Sequence, residues 1–421
     1  MKFLIKIYGF ILFHILGFIS IKAQQNSPIS YQEFMNLVAE KNLSYAALKY
    51  NVSIAEAAIQ TASMFPDPQL GIDGSNNGIF REMGYTFGGN ISWTLELGGK
   101  RKARVDLSKN QSELSKILLK DYFRNLRADV SESFIDAISA KLLLKVQQDS
   151  YENMLKLAKS DSIRYKLGNI SLVTSKQSKL EAASLKNDVF QAESKVQQSI
   201  NELSKYWDNS NTPNDVAGNF NNFNRDFKLE DLITQALNVR ADLAASKQNI
   251  VVAKSQIKLE SANRKIDLGL SLGISHNTTA TNEIAPSPAV NATQLGLSIP
   301  LKFSNKRNAD LKIAEMIASQ TELEYQQAEQ NIRAEVMQAF HEYSASQKQL
   351  KQYQNGMLSD AKIILDGIIY SYKRGESSIL EVLNAQRTYN DVQQSYFQLL
   401  SDNAKALVDL ERKVGIWDID M

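Results

Sequence analysis

Residues 84–101 read GYTFGGNISWTLELGGKR. Tyr85, Phe87, Ile91, Trp93, Leu95 and Leu97 fall on odd positions, and Thr86, Gly88, Asn90, Ser92, Thr94 and Glu96 on even ones. A period of two sustained over this length predicts a strand with one apolar and one polar face. The run stops at Gly98-Gly99, and a basic segment of helical pattern begins at Lys100. A long two-faced strand that feeds straight into a helix needs a different neighbour on each face.

The same plan occurs twice. Ser53–Gly71 resembles Val251–Gly269, Leu97–Arg101 matches Phe303–Arg307, and Tyr165–Gly168 matches Tyr372–Gly375. The offset between the copies grows slowly along the chain, as an old duplication with small insertions would leave it. The pattern divides the chain into a leader, 1–23, a first repeat, 24–207, an Asn/Asp-rich linker, 208–228, a second repeat, 229–415, and a short tail, 416–421. Each repeat predicts an opening helix (31–64 and 229–264), with Ser30 and Glu33 as a capping box for the first. A hairpin follows (68–74 with 85–97, and 266–274 with 294–303), then a long helix (100–167 and 306–374). A turn at Gly168 or Gly375 leads to a return helix (171–207 and 378–414). In the last helix Val382, Tyr389, Tyr396 and Leu410 recur on a heptad, the pattern of coiled-coil packing.

Composition supports long helices. Of 421 residues, 43% are hydrophobic and 22% charged, while Gly (19) and Pro (7) are too few for an all-β fold of many turns. Lys2 and Lys6 precede an apolar run from Ile7 to Ile21 that ends in Ala23, which predicts a secretory signal peptide; the other reading is an N-terminal membrane anchor. Without 1–23 the chain holds 45 basic against 46 acidic side chains, no excess with which to meet nucleic-acid phosphates. It has no cysteine, hence no disulfides and no acceptor for an N-terminal lipid. No later stretch is long and apolar enough for a transmembrane helix, which leaves a β-barrel as the route into a membrane.

Four strands cannot close a barrel, but three chains would supply twelve. At about 9–13 residues the strands have the length that crosses a bilayer when tilted. Their polar side chains, such as Thr94, Glu96, Ser271 and Ser298, would then line a water-filled lumen. A helix of about 68 residues is about 100 Å long, so a return helix stacked end to end on an opening helix matches one long helix, and twelve such rods continue the barrel as a tube. The expected fold is therefore mainly α with β hairpins: long antiparallel coiled-coil helices plus four strands per chain in a trimeric 12-stranded transmembrane β-barrel. A plain helical bundle would leave the hairpins unexplained, and a soluble sandwich would need a second sheet.

Phe65-Pro66-Asp67-Pro68-Gln69-Leu70, the two Tyr-x-x-Gly turns and the run YKRGESSILEVLNAQRTYNDVQQSYFQLLSDNAKALVDLERKVG (372–415) resemble the TolC-like outer membrane efflux proteins, in family order and in duplicate. LELGGKR (95–101) is similar to the CzcC-like, heavy-metal branch. The resemblance implies a homotrimeric exit duct in the outer membrane of a Gram-negative bacterium, with a large periplasmic part, partnered by a periplasmic adaptor and an inner-membrane RND-type pump. Its cargo would be heavy-metal cations, with drug efflux or type I protein secretion as alternatives. A soluble or surface coiled-coil interaction protein is the reading from a different class.

The resemblance also assigns positions. Glu381 and Asn384 match the family's periplasmic gate. Tyr165, Gly168, Tyr372, Arg374, Gly375 and Ser378 match the tips that dock the adaptor. Lys100, Arg101, Lys306 and Arg307 sit at strand-to-helix junctions, where cations oppose the helix dipole and so need another reason; anionic headgroups at the barrel rim would be one. Tyr85, Trp93 and Phe303 fit a lipid-facing aromatic girdle. No glycine loop for phosphate, no HExxH and, beyond the leader, only His276 and His341 are present. The chain is thus expected not to be an enzyme and to carry no cofactor and no metal site of its own.

Overall fold

The structure is a computed structural model that describes residues 28–78, 81–207, 213, 215–301 and 305–419. The predicted leader and part of the predicted linker lie outside them. The elements run β1 (Ile29–Ser30), α1 (Tyr31–Lys41), α2 (Leu43–Ser63), β2 (Gln69–Asn76), β3 (Tyr85–Leu95), α3 (Lys100–Lys166) and α4 (Leu172–Leu203). They continue with β4 (Val216–Ala217), α5 (Leu229–Val239), α6 (Ala241–Asn263), β5 (Leu268–Asn277), β6 (Val290–Ser298), α7 (Lys306–Gln352), α8 (Leu358–Arg374) and α9 (Ile379–Val414).

The helix α3 is the mast of the molecule. Its 67 residues run unbroken, about 100 Å at 1.5 Å per residue. Near the sheet it packs against α2 and α6, and further on against α4 and α9. The expected end-to-end stacking is present. The Asn42 side-chain amide at the start of α2 donates to the Tyr206 carbonyl just past α4, at 3.0 Å, so the two shorter helices meet beside α3.

Three expected helices are interrupted. Opening helix 31–64 breaks at Asn42, whose extended backbone (ψ 117°) ends α1 and whose side chain caps α2 by accepting from Tyr45 N at 2.8 Å. Opening helix 229–264 breaks in the same way at Arg240 (ψ 127°), which pairs with Asp242 and Glu335 and donates to the Lys413 carbonyl. Long helix 306–374 is split into α7 and α8 by a π turn over Tyr353–Met357, where Asn355 (ψ 28°) and Gly356 (φ 128°) leave helical geometry. The capping box at Ser30 and Glu33 forms as expected.

The strands β2, β3, β5 and β6 form one antiparallel sheet in that order, so the hairpins join edge to edge through β3 and β5. At mid-length a belt of core holds the helices together. Tyr31, Phe34, Val130, Phe134 and Leu203 form one part of it. Ile332, Val336, Tyr343, Leu407 and Leu410 form another. The parallel pair β1–β4 lies at this belt, and so does the segment after α9, where Trp417 stacks on Tyr31 with ring centroids 6.4 Å apart.

Glu411 is fully buried in this belt. Arg225 lies 3.3 Å from its carboxylate, and the Asp418 backbone N–H donates to it at 3.2 Å. Burial nonetheless pushes its pKa up to about 8 from an ordinary 4.5. The group takes up a proton more readily in the folded than in the unfolded chain. Its contribution to stability is therefore full below pH 4.5 and is lost as pH rises toward about 8. We predict that Glu411→Gln flattens the fall of the thermal midpoint over that range in detergent. An unchanged slope would place its source elsewhere.

Candidate functional site: a two-faced sheet, its junction and the helical tip

Over the half of the sheet nearer the helices the side chains sort into an apolar and a polar face, whereas toward the far end Asn76, His276, Asn291 and Thr293 share the apolar face with Tyr85, Phe87 and Ile274. The pairings Leu70↔Ile91, Ile91↔Leu272 and Leu272↔Leu295 run one apolar row across all four strands, with Trp93↔Leu270 and Leu270↔Leu297 beside it. This face is bare: Ile72 is 83% exposed and Leu295 87%. So large an uncovered apolar surface marks contact with lipid or another chain. Tyr85 and Phe87 stack at the end of this face away from the helices. Trp93 sits nearer the helices, with its indole N–H donating to the Pro66 carbonyl at 3.0 Å. Both expected girdle aromatics lie on the apolar face; Phe303 lies outside the described residues. The opposite face carries Asp73, Thr86, Asn90, Ser92, Ser271 and Ser298 among several glycines. Among the described helices none is long and apolar enough to cross a membrane.

LELGGKR is the joint between sheet and helices. Gly98 has φ +72°, and a Cβ there would lie 2.4 Å from the Lys265 side chain, so only glycine fits. Glu96 receives a two-pronged bond from Arg104, at 2.7 and 3.0 Å. The same guanidinium donates to the carbonyls of Ala62 and Met64 at the end of α2. Lys100 is buried, with its ammonium 2.5 Å from both Asp267 oxygens just before β5. That corrects the rim reading for Lys100: the cation that opposes the helix dipole answers a carboxylate of the chain itself and is not presented to headgroups. Arg101 is exposed but is drawn onto the Phe65 ring, 4.3 Å away, and the Ser63 carbonyl. Lys306 and Arg307 are exposed, Arg307 standing 3.9 Å from Asp310.

The two hairpin turns at the far end share one geometry. Gly168 and Gly375 both adopt left-handed φ, +79° and +83°. Asn169 N bonds to the Arg164 carbonyl and Glu376 N to the Ser371 carbonyl, each closing a Schellman turn. Tyr165 is exposed, and Arg374 lies exposed against Tyr370 and Glu376. Tyr372 is not on the surface; it is buried, and its hydroxyl donates to Asp161 at 3.0 Å. Burial, and next the Asp161 carboxylate, push the Tyr372 hydroxyl pKa upward. Ser378 and Glu381 form a second capping box, in which Glu381 accepts from Ser378 N at 2.8 Å. Glu381 is exposed but tied to the start of α9, and Asn384 is exposed one turn on.

Sequence reasoning missed the ties between the two tips. Asp161 is fully buried, and its second oxygen has no partner. Ser150 donates to Asn390 at 2.7 Å, and Gln386 donates to the same oxygen at 2.8 Å, all three buried. Arg387 pairs with Glu181 at 2.9 Å. Apart from the Gln386–Asn390 bond within α9, these contacts link residues more than 200 positions apart, and no local periodicity encodes them. At the joint, Arg104→Ala should cost about 1–3 kcal/mol, because it strips a donor from Glu96 and from two carbonyls at once. The thermal midpoint of the detergent-solubilised protein reads this directly, and an unchanged midpoint would show the joint to be held by other contacts.

Comparison with known proteins places this geometry. The family model for outer membrane efflux proteins matches residues 36–209 and 232–415. The cobalt-zinc-cadmium resistance protein CzcC of Cupriavidus metallidurans is 23% identical over 92% of this chain and 90% of its own. The pyoverdine export outer membrane protein OpmQ of Pseudomonas putida is 23% identical over 89% of this chain and 83% of its own. A solved structure of CusC shares the fold, with a TM-score of 0.75, 18% identity and 92% of each chain covered. The chain belongs to the outer membrane efflux protein family, as an exit duct of the outer membrane.

Proposed function

We propose that three copies of the chain close their sheets into one twelve-stranded barrel, continued by the helices as a periplasmic tube, and that the duct exports small cations. The observation that carries this reading is the open sheet: among the described residues it has four strands, free edges on β2 and β6, and one uncovered apolar face. A free edge in hydrocarbon leaves backbone groups without partners, and closure with further copies supplies them. The reading gives each repeat one hairpin and one long helix, in keeping with an internal duplication. A periplasmic adaptor would dock at the tips around Tyr165, Gly168, Arg374, Gly375 and Ser378, and an inner-membrane pump would feed it. Arg101, Lys306 and Arg307 would stand near the periplasmic lipid headgroups. The duct does no chemistry of its own.

The cargo is argued from the relatives. CzcC is named for cobalt, zinc and cadmium, which favours divalent cations, while OpmQ, at the same identity, is named for export of pyoverdine, which favours a cargo other than a bare metal ion. Growth of a deletion strain on divalent metals and on dyes with antibiotics separates the two. Sensitivity to metals alone, restored by the intact gene, is the expected result. Sensitivity to organic compounds alone would keep the duct and reject the cation assignment.

The α8–α9 hairpin would act as the movable leaf of the gate. Tyr372–Asp161, the Ser150–Asn390–Gln386 set and Arg387–Glu181 tie it to the α3–α4 hairpin, and the break at Gly356 supplies a pivot. Glu381 and Asn384 would sit at the mouth, with Glu381 as both helix cap and fixed negative charge. Tyr372→Phe removes one buried hydrogen bond, worth about 1–2 kcal/mol, and should raise the open fraction roughly tenfold. Single-channel recording in planar bilayers would show this, and an open fraction equal to wild type would strike the bond from the gate.

A further inference from the structure

In the four-stranded sheet Asp73 is the one charged side chain, with histidine taken as neutral. It pairs with Gly88 and so belongs to the polar face. It stands well inside β2, not at an end. A carboxylate at that height would be costly in hydrocarbon, which marks its face as the wet one.

The position is built. The Asn90 side-chain amide, on the neighbouring strand, donates to Asp73 at 3.1 Å. Asn90 itself fits because the strands on either side leave it room. A Cβ at Gly71 would come within 3.0 Å of its amide group, and a Cβ at Gly273 within 3.3 Å of its Cβ. The acids at the base of the sheet are handled differently: Glu96 is paired with Arg104 and Asp267 with Lys100. Asp73 meets a neutral amide, and the sheet offers no cation to balance it.

We propose that Asp73 sets the charge preference of the barrel. Three-fold closure brings three Asp73 carboxylates to one height around the water-filled side, where they draw cations in and hold anions off. The inference rests on the three-chain barrel reading above and adds a selectivity residue to it, inside the membrane and far from the tip.

The test is the reversal potential of the full-length protein in planar bilayers under a potassium chloride gradient. Three unit charges roughly 10 Å from the axis in water should give about a fourfold cation-over-anion preference near 0.1 M salt, fading toward 1 M. Asp73→Asn keeps the Asn90 contact and should remove that share of the preference; Asp73→Lys should invert it. Because the chain has no cysteine, Asp73→Cys and Ile72→Cys each place a single thiol, one on each face. A charged, membrane-impermeant thiosulfonate should modify the first and spare the second, and a negative adduct at position 73 should restore cation preference. Wild-type conductance with a reversal potential unmoved by Asp73→Asn and Asp73→Lys would overturn the role of Asp73 and leave the duct standing. Equal modification at both positions would overturn the barrel reading and this inference with it.

Discussion

A β-sheet in hydrocarbon cannot leave an edge unpaired. Each bare N–H or C=O costs several kcal/mol where no water can reach it, and an open sheet has a row of them on each side. Among the described residues the sheet ends at β2 and β6, and an exposed apolar row runs across all four of its strands. The demand for further strands is therefore part of the monomer's own chemistry. The strand alternation, the joint at 95–104 and the length of α3 follow from carrying such a wall on a helical support.

The joint matters because two geometries meet there. A strand advances about 3.3 Å per residue and a helix 1.5 Å, so chain direction and side-chain facing change within two glycines. Gly98-Gly99 makes the turn, and Arg104 and Lys100 then bind the first turns of α3 to the last residue region of α2 and to the approach to β5. A motif that resembles a substrate branch is thus fully occupied by structural contacts. It says how this wall is fastened to its support, and little about what passes through.

Much of the fold was legible in the sequence because it is written in local periods. Strand faces follow alternation, helix identity follows heptads, and the two tip turns follow glycine after a long amphipathic run. The misses have physical reasons too. Asn42 carried an N-cap signal inside an apolar pattern that still read as continuous helix, and Arg240 carried none, since its break is held by tertiary ion pairs. Gln354-Asn355-Gly356 held turn-forming residues, but the surrounding helical periodicity outweighed them. Ser378 and Glu381 repeat the spacing of Ser30 and Glu33, so the second capping box was written in the sequence as plainly as the first. Tyr372 looked like its counterpart Tyr165, and only the packing of distant helices distinguishes the buried tyrosine from the exposed one.

The belt at mid-length has one more consequence. Ile29 N bonds to the Asp215 carbonyl, and Trp417 rests on Tyr31, so the first and last described segments lie side by side at the waist. A short linker could join them, and the chain could then be reopened in the strand-connecting loop 278–289, away from the helices. Such a circular permutant would keep every described helix and strand whole while carrying a tag or reporter at the end of the sheet far from the helices.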